Sequence, residues 1–308
     1  MDTQPWSLPN VEWSPTINSR FEVLRLADFN RREIPADHDP RQAHRINFHA
    51  LILFTQGQGI HGVDFIDYPV KTGTLIHVCA NQIHHFGHSE GLNGLMVVFL
   101  PAALPSNLLG MPTSISSFLS WSTMQYIWPS VTSIEPCQAQ ILKQHIELLE
   151  IHQTMKFIQP SQPAAQYLLW SVIAFAFQAA VESGKHHQGK LIDPRFLEFV
   201  DLLERSFEFC RNVKWYAAQI NCTERTLYRI CMATVGKSPK TITNERVAVE
   251  AQRRLLFSEA TVKEVGYSLG FEETTNFIKF FRRLVGQNPD GFRMSLKSSA
   301  TRKLKVKS

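Results

Sequence analysis

The sequence predicts an α+β protein of two domains, the first a small β-barrel or sandwich followed by helices and the second entirely helical. The chain has 308 residues, a length typical of about two domains that each bury a core. Short strand-like runs fill residues 45–100, and apolar residues take helical spacing after Pro101. A helical pattern occurs twice in the last third of the chain.

The predicted strands of the first domain are short and are separated by turn residues. One candidate strand stands alone at Phe21–Leu26. The others are His49–Thr55, Ile60–Phe65, Tyr68–Lys71, Thr74–Val78 and Gly94–Leu100. Gly, Asp-Tyr-Pro and Asn interrupt them, as in tight turns. Several short strands at close spacing favour a small barrel or sandwich.

Two helices are predicted to follow the strands. Cys137–Ile158 carries apolar residues at three- and four-residue spacing, and Ala164–Val181 is apolar on nearly every side. The second pattern is typical of a helix buried between others or in a dimer seam. Its most apolar run has about 14 residues, whereas a bilayer span needs ~20. We therefore expect no transmembrane helix.

Charge is unevenly distributed between the two halves. Residues 1–190 hold 11 Lys and Arg against 14 Asp and Glu, whereas residues 191–308 hold 21 against 13. A basic C-terminal domain fits a polyanionic partner, but it also fits an ordinary basic surface in water. Charge alone does not decide between the two.

The cysteines indicate a reducing compartment. There are five, an odd number, and none forms a Cys-x-x-Cys pair. This pattern argues against a disulfide framework and against a structural zinc site. The first residues also lack the charged and then apolar stretch of a secretory signal. We therefore expect a cytoplasmic protein.

The repeated pattern runs from Val213 to Pro239 and again from Val262 to Pro289, at an offset of 49 or 50 residues. Each copy consists of a short helix, a tight turn, a second helix and a terminating Gly. Two copies are too few for a solenoid. The pattern is typical of a duplicated helix-turn-helix, whose second helix enters the major groove of DNA.

A single long helix is predicted between the copies, at Pro239–Ser258. At ~1.5 Å per residue it spans about 27 Å, close to the ~34 Å between successive major grooves. We expect Arg246, Arg253 and Arg254 to face outward from it. One chain would then present two reading helices to one face of a duplex. The alternative is a compact helical bundle with exposed basic residues.

The residues expected to contact DNA lie on the outer faces of the two reading helices. These are Arg225, Thr226, Tyr228, Arg229, Thr274, Thr275, Asn276 and Lys279. Arg is the usual partner for guanine in the major groove. Arg282 and Arg283 are placed for phosphate. Phosphate contacts carry no sequence information, so this pair should set affinity more than specificity.

The motifs Glu250-Ala251-Gln252-Arg253-Arg254-Leu255-Leu256, Leu269-Gly270-Phe271-Glu272 and Gly286-Gln287-Asn288-Pro289 resemble the signature of AraC/XylS-type transcriptional regulators. The resemblance covers about 100 residues. It implies base contacts by Arg225, Tyr228 and Arg229 in the first unit and by Thr274, Thr275 and Lys279 in the second. The first unit matches more loosely, and Cys231 stands where the family usually has Phe.

Residues 44–86, with Gln56-Gly57-Gln58-Gly59 and Tyr68-Pro69, resemble the cupin-type effector domain of many members of that family. The resemblance implies a β-barrel that binds a small molecule and trailing helices that dimerise. Candidate effector-binding residues are Arg45, His49, His61 and His84. Arg suits an anionic effector, such as an aromatic or sugar acid, because its planar fork bonds a carboxylate bidentately.

The histidines of this region also suggest a metal site, because cupin enzymes use His-rich ligand sets. They are His44, His49, His77, His84, His85 and His88. No His-x-His occurs near His44–His49, however, and Ala80-Asn81 stand where those enzymes favour Pro-x-Gly. We therefore expect no metal, no cofactor and no catalytic residues.

Together these observations predict a sequence-specific DNA-binding transcriptional regulator, an activator rather than an enzyme, that responds to a small-molecule effector. The predicted partners are promoter DNA, RNA polymerase and a second copy of the chain. The predicted divisions are an effector and dimerisation domain at 1–182, a linker at 183–192, a DNA-binding domain at 193–298 and a basic tail at 299–308. Two alternatives stay open: a metal-dependent cupin enzyme fused to a DNA-binding domain, and a constitutive DNA-binding dimer without an effector.

Overall fold

A computed structural model describes residues 10–11, 21–29, 42–100, 103, 125–154, 162–183 and 192–295. The chain forms two compact units that divide between Pro194 and Arg195. The predicted basic tail and most of the predicted linker lie outside the described residues. No helix within the described ranges is long and apolar enough to cross a membrane.

The first unit contains a single eight-stranded, mostly antiparallel sheet. Its strands are β1 (Asn10–Val11), β2 (Phe21–Arg25), β3 (His44–Ile46), β4 (His49–Val63), β5 (Ile66–Lys71), β6 (Thr74–Val78), β7 (Ile83–Phe99) and β8 (Val131–Ser133), with a short helix α1 (Leu26–Phe29) after β2. The strand order is β1-β3-β7-β4-β6-β8, with β2 also paired to β7 and β5 to β4.

Strands β4 and β7 are longer than predicted. As paired neighbours they join the β1-β3 side of the sheet to the β6-β8 side. The predicted strands His49–Thr55 and Ile60–Phe65 belong to one element, because the Gly-rich stretch between them stays paired to β7 through shifts of register. Gly57 has a φ of +77°, and a Cβ there would lie 2.3 Å from the carbonyl oxygen of Gly91. A glycine is therefore required at this bulge.

The sheet is buried on both faces where β4 begins, over residues 49–54. Residues 50, 52 and 54 face an enclosed apolar core. The core draws on β3 to β7 and includes Ile46, Phe48, Val63, Val70, Ile76, Val78, Met96 and Val98. Because side chains alternate along a strand, residues 49, 51 and 53 lie on the opposite face. This alternation separates residues that are neighbours in sequence into two different environments.

Two long helices follow the strands in the described part of the first unit, α2 (Pro136–Thr154) and α3 (Gln162–Ser183). Helix α2 packs against β2, β4 and β7, and α3 packs against α2 and β8. Their buried sides carry Leu142, Ile146, Leu149, Leu169, Val172, Ile173 and Ala176. The helices therefore cover the outer face of the sheet, which is why β4 has no exposed side at its start.

The second unit is helical throughout its described residues. It consists of α4 (Pro194–Ser206), α5 (Val213–Gln219), α6 (Glu224–Val235), α7 (Pro239–Phe257), α8 (Val262–Ser268) and α9 (Thr274–Val285), and residues 289–295 are also helical. Two helix-turn-helix units, α5–α6 and α8–α9, are joined by α7. This is the two-unit arrangement that the repeat predicts.

Local sequence explains where these helices begin and end. Side chains of Asn212, Thr223, Ser238 and Thr261 accept hydrogen bonds from the first turns of α5, α6, α7 and α8, and each therefore satisfies an otherwise unpaired backbone N–H group. Thr261 and Glu264 form a reciprocal capping box. Gly236 and Gly286 end the reading helices in the left-handed conformation.

The outward placement predicted for the arginines of α7 is wrong. Arg253 is only 3% exposed, and Arg246 and Arg254 are directed to the carboxylate of Glu250. Residues four apart on a helix lie on one face, so Arg246, Glu250 and Arg254 form a row. That row packs against α4 instead of facing water, because Arg246 also pairs with Glu204 at 2.8 Å.

Candidate nucleic-acid interface and ligand-binding interior

One side of helix α6 is buried and the opposite side is exposed to solvent. Leu227, Ile230 and Cys231 are buried, and the turn before the helix is made by Asn221 at a φ of +52°. Among the predicted contacts, Arg225, Tyr228 and Arg229 are exposed and Thr226 is half-buried. The hydroxyl groups of Thr226 and the N-cap Thr223 lie 2.9 Å apart. Part of the hydrogen-bonding capacity of Thr226 is therefore used within the cap.

Helix α9 is held by an aromatic cluster. Phe277 and Phe281 are fully buried, and Phe280 is nearly so. On the outer side Thr275, Asn276, Lys279, Arg282 and Arg283 are exposed, while Thr274 is half-buried. None of the ten predicted contact residues is buried. Solvent exposure leaves them accessible to DNA, and their individual roles remain predictions.

The turn of the second helix-turn-helix, between α8 and α9, contacts the segment that follows α4. A Cβ on Gly270, at a φ of +73°, would lie 2.5 Å from the carbonyl oxygen of Glu208. Arg211 donates to the carbonyl oxygen of Gly270 at 2.7 Å, and its guanidinium group lies over the ring of Phe271. The segment after α4 thus contacts the turn that orients α9.

A buried ion network connects α7 to α4 and to α8. Glu250 accepts hydrogen bonds from Arg246 and Arg254, each at 3.1 Å, and Arg253 lies 3.8 Å away. Burial alone would raise the pKa of Glu250, but the three guanidinium groups lower it on balance. Arg254 also reaches the end of α8, 3.1 Å from the carbonyl oxygen of Ser268. This network was not predicted, although the i,i+4 spacing of Arg and Glu along α7 was a signal for it.

Two of the predicted effector-binding histidines meet in the interior of the barrel. His84 Nδ1 lies 3.4 Å from His61 Nε2, and His44, which was not among the predicted effector-binding residues, lies 4.3 Å from His84 between ring centroids. Phe86 packs edge-on against His61 at 4.7 Å. The strand register explains the grouping, because His61 pairs with Phe86 and His44 with His84.

His61 is fully buried, and its electrostatics follow from that position. Burial, reinforced by the neighbouring His85 and His44, lowers the pKa of His61 to about 3. The ring is therefore neutral at physiological pH. Its Nδ1 has no hydrogen-bond partner within the described ranges. A buried polar atom of this kind costs free energy until something bonds to it.

The other two predicted effector residues lie elsewhere. His49 is on the outer face of the sheet, stacked 5.5 Å from Phe99. Arg45 is half-buried and donates to Asn81 Oδ1 at 3.2 Å. Both differences follow from strand alternation, since Arg45 neighbours the inward-facing His44 and His49 neighbours the inward-facing Ala50. The four residues do not form one site.

One group of side chains with metal-ligand chemistry occurs among the residues that the structure describes. It comprises His49, His77 and Cys79, all buried, with one candidate ligand atom from each residue within 4.8 Å of the others. It lies on the outer face of the sheet and is separate from the histidines of the barrel interior.

Comparisons with known proteins agree with this architecture. A family described as "AraC-like ligand binding domain" matches residues 31–168, and one described as "Helix-turn-helix domain" matches residues 216–295. The HTH-type transcriptional activator RhaS of Shigella sonnei is 22% identical over 291 residues, covering 93% of this chain and 96% of the relative. RhaS of Escherichia coli strain SE11 is 21% identical with the same coverage.

Two solved structures are similar to parts or most of this chain. ToxT from Vibrio cholerae is 10% identical with a TM-score of 0.40, and the match covers 89% of this chain and 97% of that one. The DNA-binding domain of AdpA, solved in complex with a target DNA, is 26% identical with a TM-score of 0.32, and the match covers 35% of this chain and 96% of that one.

Proposed function

We propose a function from the premise that this chain belongs to the AraC family of transcriptional regulators, with a ligand-binding domain followed by a helix-turn-helix domain. The proposal is a cytoplasmic transcriptional activator that binds promoter DNA as a homodimer, contacts RNA polymerase and is controlled by a small molecule. The RhaS proteins named above are activators. The chain has no enzymatic role in this proposal.

The observation that carries the DNA-binding proposal is the two-sidedness of α6 and α9. Each helix buries one apolar face and exposes a polar, basic one, with Arg225 and Arg229 on α6 and Asn276 and Lys279 on α9. The proposed base contacts are these residues together with Tyr228, Thr274 and Thr275. Arg282 and Arg283 near the end of α9 are assigned to phosphate, and Thr226 to the helix cap more than to DNA.

Lys279→Ala tests the base-reading role. The duplex is first selected from a random-sequence library by the wild-type protein, and affinity is then measured on it and on unselected DNA. A base contact is worth about 1–3 kcal/mol of discrimination, so the variant should bind the selected duplex about 10- to 100-fold more weakly and unselected DNA almost normally. Lys71→Ala, at an exposed lysine of the first unit, is the matched control.

Equal losses on both duplexes would remove Lys279 from base readout. Arg282→Ala should behave differently, because a phosphate contact contributes on any sequence. The affinity of the Arg282→Ala protein should fall by the same factor on both duplexes. The negative slope of log K against log salt concentration should become shallower by about 0.9. An unchanged slope would contradict the assignment of Arg282 to phosphate.

The effector is proposed to bind in the barrel interior, at the end where His44, His61 and His84 meet. His61 is neutral there, so it is suited to bonding a hydroxyl or another uncharged polar group, and Phe86 offers an aromatic contact. Arg45, which donates to Asn81, and His49, which stacks on Phe99, are no longer proposed to touch the effector. Thermal shifts across sugar and aromatic acids test this, with His61→Phe as the variant that should not respond.

The homodimer is proposed to form through α2 and α3. Helix α2 exposes Ile141, Leu148 and Ile151, and α3 exposes Tyr167, which is an unusual set of large apolar side chains for a solvent-facing surface. Leu148→Glu should convert the dimer to a monomer in analytical ultracentrifugation. Ile66→Glu, at an equally exposed apolar residue on β5, should leave the dimer intact.

A further inference from the structure

The outer face of the sheet carries a cluster of soft metal ligands that the effector and DNA-binding sites do not use. His49 begins β4, His77 lies on β6, and Cys79 directly follows β6. The two strands are antiparallel neighbours, with Ala50 paired to Val78. The three side chains are 2%, 2% and 4% exposed. Pairing of β4 with β6 therefore places two imidazoles and a thiol together in a layer that water does not reach.

The distances within the cluster fit coordination of one ion. Cys79 Sγ lies 3.9 Å from both ring nitrogens of His77. With metal–sulfur and metal–nitrogen bonds of about 2.3 and 2.05 Å, ligand atoms arranged trigonally are about 3.8 Å apart for a sulfur–nitrogen pair. The three candidate ligand atoms all lie within 4.8 Å of one another. Two nitrogen ligands would lie about 3.6 Å apart, so a contraction of at most about 1.2 Å would complete a three-coordinate set.

The chemistry of the three side chains also fits coordination. An imidazole ring binds a metal ion through the nitrogen that carries no proton, and a cysteine binds it as the thiolate. Binding therefore releases the thiol proton of Cys79.

We propose that His49, His77 and Cys79 bind a single copper(I) ion in the layer between the sheet and its covering helices. Two features of the cluster select this ion. Thiolate and imidazole ligands suit soft and borderline ions. Charge then decides between copper(I) and zinc(II): one thiolate neutralises copper(I), whereas zinc(II) would leave a net positive charge in a buried layer, which is costly. The cluster, as far as the described residues show, contains no carboxylate to balance that charge.

The site is placed to affect the helices. The His77 ring lies 4.4 Å from the ring of Trp128, and Trp128 lies 5.6 Å from Phe177 on α3. A ligand bond that reorients His77 would therefore be transmitted through one intervening ring to α3. Copper occupancy should accordingly stabilise the packing of α3 on the sheet.

The test is a titration of the full-length, reduced protein with copper(I) in the absence of oxygen, against a chromophoric copper(I) chelator. Protein purified from copper-supplemented cells is analysed for metal in parallel, because a buried site is accessible to the ion during folding. We expect one copper per chain, an ultraviolet thiolate-to-copper charge-transfer band and a higher melting temperature. Zinc(II) should not displace the copper.

Variants separate this site from other ligands. Cys79→Ser and His77→Gln should each lose the band and weaken copper binding by more than about 100-fold, since loss of a residue that only hydrogen-bonds to a metal ligand already costs about 10- to 100-fold. Cys231→Ser is the control at the other buried cysteine and should bind copper normally. His84→Gln controls for the histidines of the barrel interior.

Two results would overturn the proposal. One is the absence of stoichiometric copper from both loading routes, or copper that the Cys79→Ser and His77→Gln proteins retain. The other is preferential binding of zinc(II), which would refute the charge argument. Circular dichroism shows whether each variant is folded. If both are unfolded, His49→Gln gives the same test from β4, and retained copper in that protein has the same consequence.

Discussion

Replacing Glu250 with glutamine tests whether the ion network of α7 holds the second unit together. Glu250 is 6% exposed and is the shared carboxylate of Arg246, Arg253 and Arg254. Removing one partner of a buried pair leaves an uncompensated charge and costs about 3–5 kcal/mol. Glutamine keeps an acceptor oxygen, so we expect a loss of stability at the lower end of this range, about 3 kcal/mol.

The assay is differential scanning calorimetry of the full chain, with the unfolding transition of the second unit as the readout. Glu198→Gln, at an exposed glutamate of α4, is the matched control and should change stability by less than about 0.5 kcal/mol. A loss below about 1 kcal/mol in Glu250→Gln would refute the network as a source of stability.

The same carboxyl group predicts a pH dependence. The pKa of Glu250 is lower in the folded protein than in the unfolded chain, so the unfolded state takes up its proton first as pH falls. The stabilisation is complete above the unfolded pKa, about 4.3, and is lost as pH falls from there through the folded value. The wild-type protein should therefore lose more stability than Glu250→Gln across that range. Parallel losses in the two proteins would contradict this.

Three further predictions address the turns, the barrel and the caps. Gly270→Ala should destabilise the second unit more than Gly236→Ala, because a side chain at either positive φ costs about 1–2 kcal/mol but of the two only the Gly270 Cβ would clash. Equal melting temperatures of the two variants would contradict this. His61→Phe should raise the melting temperature without effector, because it removes a buried nitrogen that has no hydrogen-bond partner within the described ranges. A lower melting temperature would show that His61 Nδ1 is hydrogen-bonded in the wild-type protein. Thr261→Ala should cost about 1 kcal/mol in denaturant unfolding by removing the capping box, and no loss would mean that tertiary contacts alone hold α8.

Tertiary structure decided which histidines belong together. The candidate effector-binding residues predicted from the sequence were Arg45, His49, His61 and His84, but strand alternation places His61 and His84 inside the barrel and His49 outside it. The decisive information was the register of β4 against β7, which depends on bulges within a Gly-rich stretch. A shift of one residue would reverse every inward and outward position, and no local pattern in the sequence specifies it.

The ends of the helices in the second unit were determined by the local sequence. Helix caps are local interactions, so Thr223, Ser238 and Thr261 mark helix starts wherever the chain packs, and Gly236 and Gly286 mark helix ends. Burial of the arginines on α7 could not be determined in this way. Spacing along a helix tells which residues share a face, but only the packing of α4 and α8 against α7 decides that this face is enclosed and that Glu250 is its shared partner.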